Sequence, residues 1–479
     1  MRRKGRYWNR VLGIVVLAVL AALVPVPTSA YAGVYYYAEA AGGDWDQEGT
    51  WVDVGSDIGP PTAADGVVIN NGGTNVVTVG TGMTAVSSDL NLGLNTNGQL
   101  DVNGGSLAIS TIAVMGAGDS WGLVNQTGGA VTVGTNMIMS NNPGANAWYY
   151  MSGAGSSLGV TGTLNVGYWT ASIGLFDQSA GAVNAGAVVI GYGGTYTGVG
   201  KYKLTGGTLT TSTLVVATAN ANGYGTLELG DADSTGSISI TSASGLSVNS
   251  GGKIVGWGTV GTTVGNAPLI TDYDSKVTAN GYGVERTLDF SAFLYLWDND
   301  RAMIGGVYAT NKGKLVLPDI PVADGASSLL WGDAKDVLNK TNAIRLDFND
   351  ATTAGALDIA LLATDRSEVD TSGGGYTFIG VWDSSFTGTT SGITDLTILY
   401  DSVLASSLGI DEADLRLFNY SGGSWTDITG SLDTANDLIS SNFTGSLSSM
   451  FAVGVPEPVT LSLLVAGAVV GLIGRRKRR

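Results

Sequence analysis

A glycine-rich repeat with a period of about 25 residues runs through the first half of this chain and constrains its fold more than any other feature. In each unit, apolar and polar residues alternate up to a glycine turn, and another short strand-like run follows. The units read LDVNGGSLAIS, LVNQTGGAVTVG, YYMSGAGSSLGV, LFDQSAGAVNAG and YKLTGGTLTTS. Helical periodicity is absent, so the repeat predicts short stacked strands.

The repeat predicts an all-β fold whose main part, residues 66–270, is a right-handed parallel β-helix. Apolar side chains would stack on their counterparts one coil away, about 4.8 Å along the axis, with glycine at the corners. The units resemble the β-solenoid repeats of autotransporter-like proteins. Residues 33–65, which include Trp45 and Trp51, are expected to cap the first coil. A Greek-key β-sandwich is the competing fold, and the fixed period favours the coil.

The composition of the sequence changes near Val284. Charged residues become more frequent, glycine becomes rarer, and longer runs such as NAIRLDFND and GYTFIGVW lie between turn residues. This pattern predicts a separate antiparallel β-sandwich over residues 284–454.

The N-terminus has the three parts of an export signal. Cations from Arg2 to Arg10 precede an apolar run over residues 11–24, and Ala30 and Ala32 form an A-x-A cleavage site. Residues 1–32 are therefore expected to form a signal helix that signal peptidase removes after Ala32. An uncleaved membrane anchor is the alternative.

The C-terminus predicts a membrane helix within residues 455–479. Residues 459–474 are apolar or small, and these sixteen residues would span about 24 Å as a helix. That length crosses a bilayer if the flanking cations snorkel and the bilayer thins slightly. The chain closes on a cluster of cations that would stay in the cytoplasm under the positive-inside rule. These membrane-stop cations are Arg475, Arg476, Lys477, Arg478 and Arg479.

The same tail resembles the PEP-CTERM sorting signal. Pro456, Glu457 and Pro458 are followed at once by the apolar span and the terminal cations, which is the tripartite order of that signal. The resemblance covers only the tail at residues 455–479 and implies recognition by exosortase, an integral-membrane protease-transpeptidase. Members of this family are typically exported proteins associated with extracellular polysaccharide and biofilm. A plain tail anchor with a proline-rich stalk is the alternative.

Composition excludes several classes of function. The chain has no Cys and no His, which removes disulfides, thiolate metal sites, Ser-His-Asp triads and the usual zinc ligands. The formal net charge is −17, and no Arg occurs between Arg10 and Arg286. Because nucleic acid requires a basic footprint, it is not an expected partner.

The repeats contain few residues that could act in catalysis. The cations there are Lys201, Lys203 and Lys253, and the first two would share one strand face. A lyase of this shape needs a cation beside a cluster of carboxylates. The carboxylates of Asp89, Asp101, Asp119 and Asp177 are scattered singly along the sequence.

Two other patterns suggest binding sites. Asp231 and Asp233 in DADSTG match the first half of a calcium loop, although an ordinary polar turn is the favoured explanation and no later acidic ligand follows. Aromatic clusters at residues 148–150 and 168–169 could stack on sugars, but the sequence favours their interpretation as corner fillers of the coil.

Together these features predict a non-catalytic structural or adhesive scaffold in biofilm or exopolysaccharide. The precursor would be tethered to the inner membrane by its C-terminal helix, and the mature form would lie at the cell surface or outside the cell. No cofactor is expected beyond the weak calcium candidate. The alternatives are a β-helix enzyme acting on carbohydrate, as a lyase or hydrolase, and a calcium-dependent carbohydrate-binding protein.

Overall fold

The structure is a computed structural model. It describes residues 35–38, 42–53, 59–73, 75–169, 171–192, 198–218, 223–265, 267–271, 275–295, 306–331, 342–369, 375–390, 393–441, 447 and 449–457. The predicted signal helix with Ala30 and Ala32, the predicted membrane helix, Pro458 and the cations Arg475 to Arg479 lie outside the described residues. Within the described residues, no helix is both long and apolar enough to cross a bilayer.

The chain is nearly all β, and its larger part is a parallel β-solenoid of about nine turns with three sheets. The first sheet contains β2 (Gly43–Asp44), β5 (Val77–Val79), the first halves of β8 (Gly98–Ile109) and β10 (Trp121–Val133), β12 (Asn146–Met151), β14 (Ile173–Gln178), β16 (Val199–Leu204), β18 (Tyr224–Leu229), β21 (Gly252–Gly256), β24 (Lys276–Asn280) and β27 (Val307–Thr310).

The other two sheets are built from the remaining strands of each coil. The second contains β6 (Thr84–Ser87), the second halves of β8 and β10, the first halves of β13 (Ser157–Val166), β15 (Ala182–Ile190) and β17 (Thr208–Val216), and then β19 (Ser237–Ile240), β22 (Gly258–Thr262), β25 (Arg286–Asp289) and β28 (Gly313–Val316). The third contains β1 (Tyr35–Ala38), β4 (Gly66–Ile69), β7 (Asp89–Leu92), β9 (Ala113–Met115), β11 (Met137–Met139), the second halves of β13, β15 and β17, β20 (Leu246–Val248), β23 (Pro268–Thr271) and β26 (Leu294–Tyr295).

Stacked positions in the first sheet confirm the repeat. Leu100 pairs with Val124, and Val124 pairs with Tyr149, so each residue lies beside its counterpart in the next unit of the sequence. The coil repeats because each strand of one turn pairs in parallel with its counterpart in the next.

Glycine is required where the coil turns into the first sheet. A Cβ atom on Gly200 would lie inside the contact distance of the Val166 carbonyl oxygen in the preceding turn. The equivalent positions in neighbouring coils are Gly174 and Gly225, whose Cβ atoms would also meet backbone. The glycine spacing of the repeat therefore reflects close backbone approach at this corner, both within a turn and between turns.

The interior of the solenoid contains a stack of aromatic rings with buried amides beside it. The rings of Tyr149, Phe176 and Tyr202 stack with centroids 4.8 and 4.7 Å apart. The Tyr149 hydroxyl donates to Gln126 Oε1 at 2.7 Å, and the Tyr202 hydroxyl donates to Gln178 Oε1 at 2.6 Å. Each tyrosine thus bonds a glutamine on the first-sheet strand of the preceding coil, and burial raises the pKa of both hydroxyls.

Antiparallel strands continue the second sheet beyond the last coil. They are β29 (Ile320–Val322), β32 (Gly355–Leu362), β33 (Tyr376–Phe386), β36 (Arg416–Ser421), β37 (Ser424–Asp427) and β40 (Ser449–Pro456). A separate antiparallel sheet contains β30 (Gly325–Trp331), β31 (Ala343–Thr353), β34 (Thr389–Thr390), β35 (Ile393–Leu399), β38 (Ser431–Asp433) and β39 (Leu438–Ser441). The Phe348 and Phe386 rings, 5.5 Å apart, join the two sheets in one core.

The remaining elements are short. Strand β3 (Val52–Asp53) pairs antiparallel with β1, and single 3₁₀ turns cover Glu48–Thr50 and Glu412–Asp414. Helix α1 (Ser402–Ser407) begins after Asp401, whose carboxylate accepts the Leu404 N–H at 2.9 Å.

Parallel pairing extends past both limits of the predicted 66–270 segment. Strands β1 and β2, within the predicted cap 33–65, already join the ladders of the coil. Strands β25 and β28 lie beyond residue 284 and still pair in parallel, and the antiparallel pairing of the C-terminal part begins where β28 meets β32. The solenoid and the C-terminal sheets therefore share a continuous sheet, which a boundary drawn from sequence texture does not capture.

Candidate functional site

The outward side of the first sheet carries a grid of side chains whose chemistry differs from the rest of the coil. Because side chains alternate along a strand, three residues of each strand face outward while the residues between them fill the core. We call the outward residues of β10 to β18 the aromatic face. They are Trp121, Leu123 and Asn125; Asn146, Trp148 and Tyr150; Ile173, Leu175 and Asp177; Val199, Lys201 and Lys203; and Tyr224, Thr226 and Glu228.

Large apolar side chains on the aromatic face are exposed to solvent. Ile173 is 51% exposed and Tyr224 is 56% exposed, and Tyr150 and Val199 are also exposed. The rings of Trp121 and Trp148 lie 5.8 Å apart on adjacent strands. Exposed apolar groups clustered on one sheet are typical of binding surfaces.

A second aromatic group lies at the corner that leads into this sheet. The rings of Tyr168 and Tyr192 stack with centroids 4.7 Å apart, and the Trp169 ring lies 6.1 Å from Tyr168. Gly167, directly before Tyr168, packs against the backbone of Val199. The corner rings therefore border the aromatic face.

The structure corrects one expectation about the aromatic residues. Residues 148–150 were expected to fill a corner, but they lie within β12. Tyr149 points into the core, while Trp148 and Tyr150 point outward, because a strand sends successive side chains to opposite faces. Tyr168 and Trp169 do lie at a corner, between β13 and β14.

The charges on the aromatic face are paired with one another. Lys201 forms an ion pair with Glu228, and Lys203 Nζ lies 3.7 Å from Asp177 Oδ2. The register places Lys203 between Asp177 and Glu228 on adjacent strands, and Lys253 lies on β21, one strand beyond the face. Asp177 and Glu228, which come from different units of the sequence, thus lie on either side of one lysine in the fold.

Next to this face, amides surround a further carboxylate. Asp101 Oδ1 accepts a hydrogen bond from Asn125 at 2.9 Å and another from Gln99 at 3.1 Å. Asp101 and Asp177 occupy the same row, three strands apart, which separates their backbones by about 14 Å. That separation exceeds the roughly 5 to 9.5 Å between the carboxyl groups of a glycosidase. Asp89 and Asp119 lie outside the aromatic face.

Two shallow depressions lie elsewhere on the solenoid. One crosses the second sheet near Thr132 and Asn184, and the other lies at a corner near Ser156 and Ser179. Among the described residues that line them, neither depression has an ionisable side chain. They offer no general acid or base.

The Asp231 turn is closed by its own groups and by two neighbours. Asp231 Oδ1 accepts the N–H groups of Asp233 and Ser234, each at 2.9 Å, and the hydrogen bond from Asp233 is the main cause that lowers the pKa of Asp231. The Asp231 carbonyl accepts bonds from Arg286 at 2.6 Å and from Trp257 at 2.7 Å. The Arg286 guanidinium also lies 4.2 Å from the centre of the Trp257 ring. The positively charged Arg286 guanidinium therefore already occupies the position beside the Asp231 carbonyl.

Carboxylates also approach one another where the coil meets the C-terminal sheets. Burial and the nearby charge of Asp319 raise the pKa of Asp358, whose Oδ1 is buried with no hydrogen-bond partner among the described residues. Lys314 lies 3.4 Å from Asp383 nearby. Across the described part of the chain, no three Asp or Glu side chains are arranged to hold a metal ion.

The predicted sorting motif begins at the end of a paired strand. Strand β40 ends at Pro456, and the Glu457 N–H donates to the Gly375 carbonyl at 2.5 Å. Strand β40 lies between β33 and β36. Pro456 therefore belongs to the folded sheet, and a backbone hydrogen bond joins Glu457 to Gly375 beside it.

Sequence reasoning missed Tyr224 and Glu228 on the aromatic face and the buried amides of Gln126 and Gln178. A signal for the amides exists, because both glutamines stand three residues before a Gly-Ala-Val run in their units. Tyr224 carries no such signal, since its position on the face depends on the length of the preceding corner.

No protein-family model matches the chain, and neither the curated proteins nor the solved structures include a significant match. The fold places the chain in the class of parallel β-solenoid proteins, here with antiparallel sheets that continue its last coil.

Proposed function

We propose that this protein is exported and works as a non-catalytic structural or adhesive scaffold at the cell surface or in an extracellular polysaccharide matrix. Residues 1–32 would direct export, and exosortase would recognise the tail at residues 455–479. The observation that supports the scaffold role best is the continuous stack of paired coils, whose second sheet extends by strand pairing into the C-terminal sheets.

The stack supports a mechanical role because each turn is held by hydrogen bonds to the turn before it. About nine turns at about 4.8 Å give a rod of roughly 43 Å. A rod of this kind presents outward side chains at a fixed spacing without a folding step on binding. Right-handed coiling, the packing of the C-terminal sheets as a sandwich, and the signal and membrane helices are further parts of the proposal.

The position of the sorting motif supports processing close to the membrane. Because β40 ends at Pro456 and the predicted membrane helix begins at residue 459, the precursor would hold its C-terminal sheets next to the bilayer. Proline on both sides of Glu457 keeps the motif extended, which suits a membrane protease.

Mass spectrometry of the mature termini in cell fractions tests this proposal. We expect an N-terminus at Gly33, a C-terminus that lacks Arg475 onward, and the protein outside the cytoplasm. A Pro458→Ala variant should accumulate in the membrane fraction with its tail intact. Recovery of the wild-type protein from the cytosol, or with Arg475 still attached, would contradict the proposal.

A carbohydrate-active enzyme is the second candidate, favoured by Lys203 between Asp177 and Glu228. A lysine flanked by carboxylates resembles the cation and carboxylate set that a lyase requires. Incubation of the purified chain with a panel of polysaccharides tests it. Reducing or unsaturated ends that disappear in a Lys203→Met variant would establish catalysis and exclude the scaffold-only function.

A further inference from the structure

We infer that the aromatic face binds an uncharged polysaccharide chain. The inference rests on the proposed scaffold function and adds to it a site and a class of ligand. Four kinds of observation carry it: the exposure of the rings, the polar groups beside them, the balance of charge, and the position of the ion pairs.

The rings are placed where a sugar could stack on them. Trp148 and Tyr150 project from one strand, and Tyr224 projects from a strand three turns further along the same sheet. Tyr150 is 40% exposed, although it lies in the middle of a paired sheet. The apolar C–H face of a pyranose packs on such rings, and aromatic side chains with a polar tip suit ligands that are apolar on one side and hydrated on the other.

Hydrogen-bonding groups lie in the same rows as the rings. Asn125 is the register partner of Tyr150 on one side and Asp177 is its partner on the other. Asp101 and Gln99 extend the polar group by one further strand. Sugar hydroxyls need donors and acceptors at their edges, and the grid supplies them on both sides of an aromatic ring.

The charge balance selects an uncharged polymer. The two lysines of the face, Lys201 and Lys203, are neutralised by Glu228 and Asp177. The chain as a whole carries a formal net charge of −17, which repels polyanions. An acidic polysaccharide would meet no unpaired lysine among the described residues of this face.

The ion pairs also argue against a second copy of the chain as the occupant. They lie on β14, β16 and β18, so any surface that covered both Tyr150 on β12 and Tyr224 on β18 would cover them as well. Charged residues are depleted from the cores of protein interfaces because their burial is costly. A hydrated sugar chain leaves these groups in contact with hydroxyls and water.

Native affinity electrophoresis of the purified full chain tests the inference. The gels would contain hydroxyethyl cellulose or galactomannan as uncharged probes, and alginate as an anionic probe. We expect at least one uncharged polymer to retard the protein and alginate not to. Tyr150→Ala should weaken retardation about tenfold, as for a central contact residue, and Trp148→Ala should act in the same direction.

Two control variants separate binding from folding. Tyr150→Phe keeps the ring and should keep the binding, and Val403→Ala removes an exposed apolar side chain of α1, outside the face. Because Tyr150 is exposed, its alanine variant should melt at the wild-type temperature.

Three results would overturn the inference. They are no retardation by either uncharged polymer, equal retardation of the Tyr150→Ala variant, and self-association in sedimentation that depends on Tyr150, which would identify a second copy as the occupant. The electrophoresis uses purified protein and does not depend on export. A failure of export in cells would therefore contradict the proposed function without affecting this binding result.

Discussion

Gln178 has a fully buried side-chain amide, and its removal should destabilise the packing of two adjacent coils. Its Oε1 accepts the Tyr202 hydroxyl at 2.6 Å, and its Nε2 donates to the carbonyls of Gly181 at 3.1 Å and Thr208 at 3.0 Å. The side chains of Gln178 and Tyr202 are both inaccessible to solvent. Gln178→Leu would remove three hydrogen bonds and leave the Tyr202 hydroxyl buried without a partner.

The magnitudes follow from the number of groups left unpaired. A net hydrogen bond contributes about 1 kcal/mol, and an orphaned buried group costs about 1–3 kcal/mol. Gln178→Leu should therefore lower the free energy of unfolding by about 3–5 kcal/mol. Tyr202→Phe removes one bond and leaves Oε1 unpaired, which should cost about 1–2 kcal/mol. The double variant loses the amide bonds but has no orphaned hydroxyl, so it should cost less than the sum of the two.

Chemical denaturation of the four proteins in this double-mutant cycle measures the coupling. We expect a coupling free energy of about 1–2 kcal/mol in favour of the double variant. Leu204 and Leu227, the equivalent pair in the next coil, show that the fold accepts leucine at both positions. Strictly additive effects would refute the hydrogen-bond reasoning, as would a Gln178→Leu variant as stable as the wild type.

Three further predictions concern backbone approach, buried charge and the Asp231 turn. Gly200→Ala should destabilise the fold by about 3 kcal/mol or more because its Cβ meets backbone, whereas Gly155→Ala, with open space around it, should change the melting temperature little. Asp358→Asn should raise the melting temperature at pH 7, because burial and neighbouring carboxylates raise the pKa of Asp358 and so disfavour its charged form in the fold. That gain should shrink as the pH falls through the raised pKa of Asp358 towards the unfolded-state value of about 4, and a pH-independent gain would contradict the electrostatic cause. Arg286→Ala should destabilise the fold by about 1–2 kcal/mol through loss of its bonds to the turn, and calcium should not raise the wild-type melting temperature in a thermal-shift titration.

The period and the glycine positions were enough to predict a stacked parallel coil. A coil of this kind requires the same short strands in every repeat and a glycine where successive turns approach closely. Each unit of the sequence contains both features. The end of the coil was not predictable in the same way. More frequent charges and longer strands place a predicted boundary near residue 284. However, β25 and β28 continue the parallel pairing beyond it. Their partners in the preceding coil would otherwise leave an open sheet edge.

The aromatic face could be predicted only in part because it depends on register across coils. The corners between coils differ in length, so the interval from Tyr149 to Phe176 is not the same as the interval from Phe176 to Tyr202. Carboxylates and lysines of different units align only after those lengths are fixed by the fold. A sequence read in isolation shows them as scattered charges.

Inside the solenoid, the last inward residue of a first-sheet strand matches the aromatic ring in the next coil, and both residues can be found in the sequence units. Where the inward residue at the end of a first-sheet strand is Gln178, the ring in the next coil is Tyr202, and where it is Met151, the ring in the next coil is Phe176. The side chains match because a hydroxyl in the core needs an acceptor and a phenyl ring does not. Recognising this pairing requires knowing which residues point inward.

Disulfide trapping between adjacent coils tests the central claim most directly, because the chain has no cysteine of its own. Asn184 pairs with Thr210, and Thr210 pairs with Ser239, on successive strands of the second sheet. Asn184 and Ser239 are two strands apart, about 9.6 Å, which is too far for a disulfide. A stacked coil predicts rapid crosslinking of the 184/210 and 210/239 cysteine pairs and none of the 184/239 pair. Efficient crosslinking of 184 to 239, or failure of both adjacent pairs, would contradict it.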